Sequence, residues 1–236
     1  MKKPLLFLFV LLISFNIFSQ TEIKLDNNFT GILSTNNTTT FGFNFVGNNS
    51  IDVKKISFDF STNYAIRFSP TLRENEFIQR QNIGYEKEKW DLFITHQYNY
   101  SLIRKINADN WLGIGGGLKF KYKWGKISVS YATIYQNSEY FQQQTEYLFR
   151  HSIRGKLKFE RKNISFSSEY FYQPNFTDFR DVIIYGNSKL SLFSNKSVNF
   201  IIQDVINWRS TSDVRLIHNL SLGIGYKFNK VINKKD

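Results

Sequence analysis

Alternation of large apolar residues with small or polar ones, repeated along most of the chain, is the feature that most restricts the fold. In the segment from Leu220 to Phe228, every second residue is a large apolar one, with Ser, Gly or Lys between. Because successive side chains of a β-strand point to opposite faces, one face of this segment is apolar and the other small or polar. Tyr226 and Phe228 lie at one end, where a membrane interface favours aromatics. The pattern predicts a lipid-facing strand of a transmembrane β-barrel.

Short polar turns recur at a steady spacing and predict the number of strands. The turns fall at 47–50, 86–89, 124–126, 160–163 and 194–196, and longer connections at 34–38, 69–76, 104–110, 137–144, 173–177 and 209–214. Five short turns and six longer loops predict an all-β antiparallel barrel of about 12 strands over residues 21–230. An even count places both termini in the periplasm, and pairing of the last strand with the first removes the exposed edges.

A soluble β-sandwich or a lipocalin-like barrel is the alternative, since its strands also alternate. About twelve strands, however, would enclose an interior too wide for the apolar face to fill. The other face is rich in Gly, Ser, Asn and Lys, which suits a polar lumen. We therefore expect the apolar face to meet lipid, and the residues expected there include Phe58, Phe60, Ile114, Phe166, Leu222, Ile224 and Tyr226.

The first 20 residues have the pattern of a secretory signal peptide. Lys2 and Lys3 precede an apolar run from Leu5 to Phe18, which is short for a membrane-spanning helix of about 20 residues. The segment Phe18-Ser19-Gln20 is similar to the cleavage region of exported Bacteroidetes proteins. We expect residues 1–20 to be removed, the barrel to reach the cell outer membrane through the periplasm, and residues 231–236 to form a short periplasmic tail.

Composition excludes several classes of site and partner. With no Cys, the chain has neither disulfides nor a lipoprotein anchor. The net charge of +12 would favour nucleic acid in a cytoplasmic protein, but an exported barrel does not meet it. We expect outer-membrane lipids and the barrel-assembly machinery as partners, no nucleic acid and no cofactor. The basic residues serve either an anionic solute or headgroup, or solubility alone.

Charged residues occupy many of the positions expected to face the lumen. Arg150, Arg154, Lys156 and Lys158 share one face of a predicted strand. Lumen charge sets the ion preference of a pore, so this surplus predicts a narrow anion-favouring passage. The alternative is a closed lumen in which the charges pair with one another. The full set of expected lumen charges is Asp59, Arg67, Asp91, Lys119, Lys121, Arg150, Arg154, Lys156, Lys158, Glu169, Asp181 and Lys189.

An outer-membrane lipid hydrolase is a remote alternative, because such an enzyme needs a Ser hydroxyl within hydrogen-bond reach of a His. The histidines are His96, His151 and His218. If the turn at 161–162 sets the register, His151 lies opposite Phe171 or Tyr172, and no Ser stands there. We predict that the protein is not an enzyme and that scattered His without Cys hold no metal.

The segment from Arg150 to Phe200 carries a more specific pattern, in which Tyr172-Gln173-Pro174 is followed by Phe179-Arg180-Asp181. It resembles the outer-membrane family called domain of unknown function 481, which includes the salt-induced outer-membrane protein. The resemblance implies a barrel and an outer-membrane address, and no catalytic residues. We therefore expect a non-enzymatic barrel that acts as a narrow pore or in envelope-stress adaptation. The alternative is a closed barrel that scaffolds a periplasmic or surface partner.

Overall fold

The described part of the chain forms one closed barrel of twelve antiparallel strands. The computed structural model describes residues 20–36, 39–53, 55–68, 73–102, 104–141, 145–194, 196–211 and 215–233. Across these ranges no helix is both long and apolar enough to cross a membrane. Residues 1–19 of the expected signal peptide 1–20 lie outside the described residues, and Gln20 is the first residue of β1.

The strands follow one another around the ring in chain order. They are β1 (Gln20–Asn36), β2 (Thr39–Val53), β3 (Ile56–Phe68), β4 (Arg73–Glu86), β5 (Trp90–Ser101), β6 (Ile106–Tyr122), β7 (Gly125–Tyr140), β8 (Glu146–Arg161), β9 (Ile164–Pro174), β10 (Val182–Leu192), β11 (Val198–Arg209) and β12 (Leu216–Asn233). β1 pairs with β12 from Gln20↔Asn233 to Asn36↔Ile217, which closes the ring. The predicted fold class and strand number are confirmed.

The two ends of the barrel differ in the connections they carry. The turn end carries the connections 54–55, 87–89, 123–124, 162–163 and 193–197 together with the start of β1 at Gln20 and the end of β12 at Asn233. The loop end carries 37–38, 69–72, 102–105, 141–145, 175–181 and 210–215. The longest connection, 175–181, is therefore at the loop end, where it can reach over the lumen.

The connections predicted at 34–38, 104–110 and 137–144 extend into β1, β6 and β7, and two of the predicted short turns are misplaced. Residues 47–50 lie inside β2, because Asn48 pairs with Ser61 and Ser50 with Asp59, and the turn follows at 54–55. Their polar composition belongs to a strand with a polar inner face, which resembles a turn in sequence. The β8–β9 turn is 162–163, one position later than expected, and Lys162 adopts a φ of 46° there. The register consequently moves by two residues, which changes the partners of β8 but not the direction of its side chains.

Large apolar side chains cover the outside of the barrel. Ile114, Leu222 and Leu92 are 66%, 61% and 56% exposed, although they sit in the middle of regular strands. A continuous apolar surface of this kind is foreign to soluble monomers and typical of a wall that meets lipid. Aromatic pairs flank it, with Tyr122 stacked on Trp124 near the turn end and Tyr135 against Phe149 near the loop end. The alternative of a soluble barrel with an apolar interior does not fit this arrangement.

The interior holds a few apolar side chains among many polar ones. Trp111, Ile134 and Ile183 form a buried cluster from β6, β7 and β10. Phe93 also points inward, opposite Gly115. A Cβ on Gly115 would lie 2.3 Å from the carbonyl oxygen of Tyr131, so β6 and β7 approach too closely for any larger residue. The lumen is thus partly filled, and its polar side chains are brought close together.

Candidate functional site

Four charged side chains close the loop end of the lumen, and we call them the loop-end cluster: Asp109, Arg150, Asp181 and Arg209. Asp109 on β6 is 0% exposed and pairs with Arg209 on β11 at 3.1 Å, although these strands are five places apart in a ring of twelve. The Asp109 carboxylate also accepts hydrogen bonds from Trp111 Nε1 at 2.6 Å, Ser138 Oγ at 2.7 Å and Gln136 Nε2 at 2.9 Å. The Asp109–Arg209 pair therefore spans the lumen.

The connection 175–181 is held over this end by Arg150. The Arg150 guanidinium donates to the Asp181 carboxylate at 2.5 Å and to the backbone carbonyls of Asp181 and Gln173 at 3.1 and 3.3 Å. Asn175 Nδ2 donates to the same carboxylate at 3.2 Å. Because guanidinium and carboxylate are both buried and multiply hydrogen-bonded, they form a stable closure rather than a ligand site.

A second cluster lies halfway along the lumen, and we call it the mid-barrel cluster: Arg80, Arg154, Lys156 and Glu169. Glu169 forms an ion pair with Arg154 and lies 3.9 Å from both Arg80 and Lys156. The guanidinium groups of Arg80 and Arg154 also lie over the ring of Phe171, at 4.9 and 5.5 Å from its centre. Such cation–π contacts orient both arginines toward the same point.

The mid-barrel cluster carries an excess of positive charge. Three cationic side chains surround the single carboxylate of Glu169. Asp59, on the facing wall, is a second carboxylate close enough to Arg154 and Lys156 to interact electrostatically, which reduces the excess without cancelling it. A surplus of charge of one sign inside a low-dielectric wall attracts small ions of the opposite charge. The mid-barrel cluster is therefore a local surplus of positive charge in the lumen.

At the turn end, lysines on β6, β7 and β8 lie directly opposite one another, and carboxylates pair with some of the lysines there. Lys119 lies between Glu86 and Asp91, with 2.8 Å to the Asp91 carboxylate. Lys158 pairs with Glu160 at 2.8 Å, and both side chains are more than half exposed. This end therefore combines ion pairs with neighbouring like charges.

Two small cavities adjoin the mid-barrel cluster. One lies toward the loop end, beside Glu76, Arg104 and Arg209, and the other beside Asn82, Ser130 and Arg154. Each has a volume of about 40 Å³, which is room for a few water molecules. Arg80, Trp111 and Phe171 line both. The described lumen is therefore a narrow, hydrated space interrupted by side chains.

The structure places the expected residues as follows. The expected lumen charges on the strands occupy inward positions, with Lys121 and Lys158 near the rim at the turn end. Asp181 lies in the connection 175–181 instead of on a strand, and the side chain of Arg67 lies outside the described residues. The expected lipid-facing residues all take outward positions: Phe58, Phe60, Ile114, Phe166, Leu222, Ile224 and Tyr226.

Three residues that complete the clusters were missed from sequence. Arg80 lies on β4, where outward Gln79 and Gln81 hide the alternation. Continuing the alternation backward from Ile83 and Tyr85 would have placed Arg80 inward. No sequence signal joins Asp109 to Arg209, because the contact depends on where the two side chains meet across the lumen.

The outer wall carries a polar row across β9 to β12. Asp204 pairs with His218 at 2.5 Å, and Ser188, directly opposite Asp204, meets Ser168 at 2.9 Å. The carboxylate thus lies between the hydroxyl and the imidazole, and the described hydrogen bonds of Ser188 Oγ go to Ser168 and Tyr170. His151, opposite Pro174 in the corrected register, bonds Tyr131 and stacks on Phe176. In these contacts, His218 meets a carboxylate and His151 a phenol, whereas a hydrolase of this kind pairs a His with a Ser hydroxyl.

Comparison with solved structures agrees with the barrel architecture. The NanC porin aligns with a TM-score of 0.60 and 10% identity, covering 86% of this chain and 100% of that one. The KdgM porin in complex with disordered oligogalacturonate aligns with a TM-score of 0.50 and 11% identity, covering 87% and 99%. No family model and no curated protein matches the chain. At these identities the likeness shows the fold alone, which is that of an outer-membrane porin-type barrel.

Proposed function

We propose that this chain is a non-enzymatic protein of the cell outer membrane that passes small anions through a constricted lumen. The observation that carries the proposal is the mid-barrel cluster, with three cations around one carboxylate in the middle of the passage. The apolar outer wall, with Ile114 and Leu222 exposed, supports insertion in lipid. A signal peptide over residues 1–20 would direct export, and the barrel-assembly machinery would insert the strands.

The size of the lumen limits the solute. The KdgM porin was solved with an oligogalacturonate. The cavities of this chain, about 40 Å³ each, are far smaller than the roughly 300–1,000 Å³ typical of ligand pockets. We therefore propose inorganic anions or small organic acids rather than saccharides as the solutes.

A closed structural barrel is the second candidate, and the loop-end cluster favours it. The pair of Asp109 and Arg209 spans the lumen, and Arg150 holds the connection 175–181 in place. In this alternative, the barrel presents its loops to a periplasmic or surface partner. Passage of anions through the same barrel requires the loop-end cluster to open.

Planar-bilayer recordings separate the two candidates. The anion passage predicts discrete conductance steps and a reversal potential shifted toward that of chloride. Arg154→Glu and Lys156→Glu should reduce or invert that preference, because they reverse the charge of the mid-barrel cluster. The matched control is Arg161→Glu, at the exposed turn end. Conductance at the background level, together with a partner recovered by crosslinking, would establish the closed barrel instead.

Membership of the domain of unknown function 481 family, and a Bacteroidetes source, remain proposals that rest on the motif between Tyr172 and Asp181. The corresponding role is adaptation to envelope stress. A deletion strain is then expected to grow more slowly at high salt and to recover with the wild-type gene. Equal growth of the two strains over a range of salt concentrations would contradict that role.

A further inference from the structure

We propose that the mid-barrel cluster is a carboxylate-binding site which Glu169 occupies, and that a small organic acid binds by taking the place of the Glu169 carboxylate. The inference deepens the proposed anion passage and rests on it. It names the solute class as carboxylates and assigns Glu169 the role of an internal competitor.

The carboxylate of Glu169, which now lies in the site, shows which class of anion the site can bind. The Glu169 carboxylate meets Arg154 from the neighbouring strand β8 and approaches Arg80 from β4, five places away around the ring of twelve. Lys156 lies on the same side at 3.9 Å. Planar guanidinium groups match the two oxygens of a carboxylate better than they match a spherical ion. The geometry therefore selects carboxylates over chloride.

The site has unused capacity for an additional acceptor. Arg154 Nε is buried and has no hydrogen-bond partner among the described residues. The cavity beside the cluster is lined by Arg80, Arg154 and Phe171, so it opens onto both guanidinium groups. A buried donor without an acceptor is unfavourable, and a carboxylate oxygen entering this cavity would satisfy it.

Glu169 has one close ion pair, with Arg154, and two longer contacts that an incoming carboxylate could replace. Its side chain is 18% exposed, and its contacts with Arg80 and Lys156 are 3.9 Å long. By contrast, Asp109 in the loop-end cluster is fully buried and accepts several short hydrogen bonds. With three cations available, the cluster can bind an incoming carboxylate while Glu169 turns toward the hydrated lumen.

The first experiment measures acetate binding by isothermal titration calorimetry on the barrel folded in detergent micelles. Glu169→Gln removes the internal competitor and should bind acetate about tenfold more tightly than the wild type, the scale of one charge-assisted hydrogen bond. Glu160→Gln, which removes a carboxylate paired with Lys158 near the turn end, is the matched control and should leave acetate affinity unchanged. Equal affinity of Glu169→Gln and wild type would overturn the proposal.

A second variant covers the case in which Glu169→Gln does not assemble. Arg154→Gln lowers the positive charge and should weaken acetate binding about tenfold, whereas Arg161→Gln at the turn end should not. Unchanged affinity in Arg154→Gln, or chloride binding as tight as acetate binding, would overturn the carboxylate site. Because binding is measured at equilibrium in micelles, it is independent of conductance. A barrel that binds acetate but does not conduct would keep the site and refute only the passage.

Discussion

The loop-end and mid-barrel clusters are built from the same kinds of side chain, but they differ in charge balance and hydration. In the loop-end cluster two carboxylates meet two guanidinium groups, and no side chain is more than 11% exposed. In the mid-barrel cluster one carboxylate meets three cations, with side chains between 18% and 42% exposed. The first cluster is neutral and buried, and the second is positive and more exposed, while each contains one buried arginine Nε without a hydrogen-bond partner among the described residues.

This difference separates a structural role from a binding role within one lumen. A buried ion pair is stable only when its partners compensate each other fully, so every substitution in the loop-end cluster exposes an unpaired charge to a dry interior. Charges that keep part of their hydration lose little when a partner changes, and they remain available to a solute. Stability should therefore depend on the loop-end cluster, and ion preference on the mid-barrel cluster.

The largest expected effect is that of Asp109→Asn on stability. The substitution leaves Arg209 buried without its counter-ion and should lower the free energy of unfolding by about 3–5 kcal/mol. Urea unfolding in micelles, followed by the loss of heat-modifiable migration, measures it. Asp59→Asn, at an exposed inward position, is the matched control and should lower stability far less. A similar loss in the free energy of unfolding for the two variants would show that the two carboxylates do not differ in their contribution to stability.

The next largest effect is expected on the yield of folded protein when the same charge is placed on the outer wall or inside the barrel. Ile224→Arg places a charge on the outer wall and should cost about 2–4 kcal/mol if the position lies near the bilayer midplane. Asp59→Arg places the same side chain in the hydrated lumen and should assemble nearly as well as the wild type. Membrane-fraction yield of folded protein measures both. Equal yields would show that the assignment of inner and outer faces is wrong.

A smaller effect is expected where the loop-end cluster holds the connection 175–181. Asp181→Asn weakens the contact with Arg150 and should lower stability by about 1–3 kcal/mol. If this contact limits passage, single-channel conductance should rise while anion preference stays the same. Asp178→Asn, in the same connection but exposed, is the matched control. A change of selectivity in Asp181→Asn would assign a part in ion choice to the loop-end cluster.

The smallest effect is expected at the turn end. Lys158→Gln removes an ion pair whose two side chains are more than half exposed, and such pairs contribute about 0–1 kcal/mol. Stability and reversal potential should both stay close to those of the wild type. A selectivity shift as large as that of Arg154→Glu would show that residues at the turn end of the barrel also contribute to ion selectivity.

Much of the fold could be predicted because alternation is a local property of the chain. The apolar positions from Leu220 to Phe228 mark a strand without reference to any partner, and the same holds for the strand that contains Arg150 and Arg154. Errors arose where inner-face polarity resembled a turn, as at 47–50, and where polar outward residues hid the alternation around Arg80. The charges on regular strands could be assigned to a face, while their partners could not.

By itself, the amino-acid sequence determined the inner or outer side of most side chains on the clearly alternating strands, since a period of two depends only on the extended backbone. Only the tertiary structure decided which inward charges meet. Asp109 pairs with Arg209, which is 100 residues away in sequence. Arg80 contacts Glu169 and Phe171, although its strand is five strands away from theirs in the ring of twelve. These contacts depend on strand register, on the width of the closed ring and on the reach of each arginine. Such quantities exist only after all twelve strands have paired.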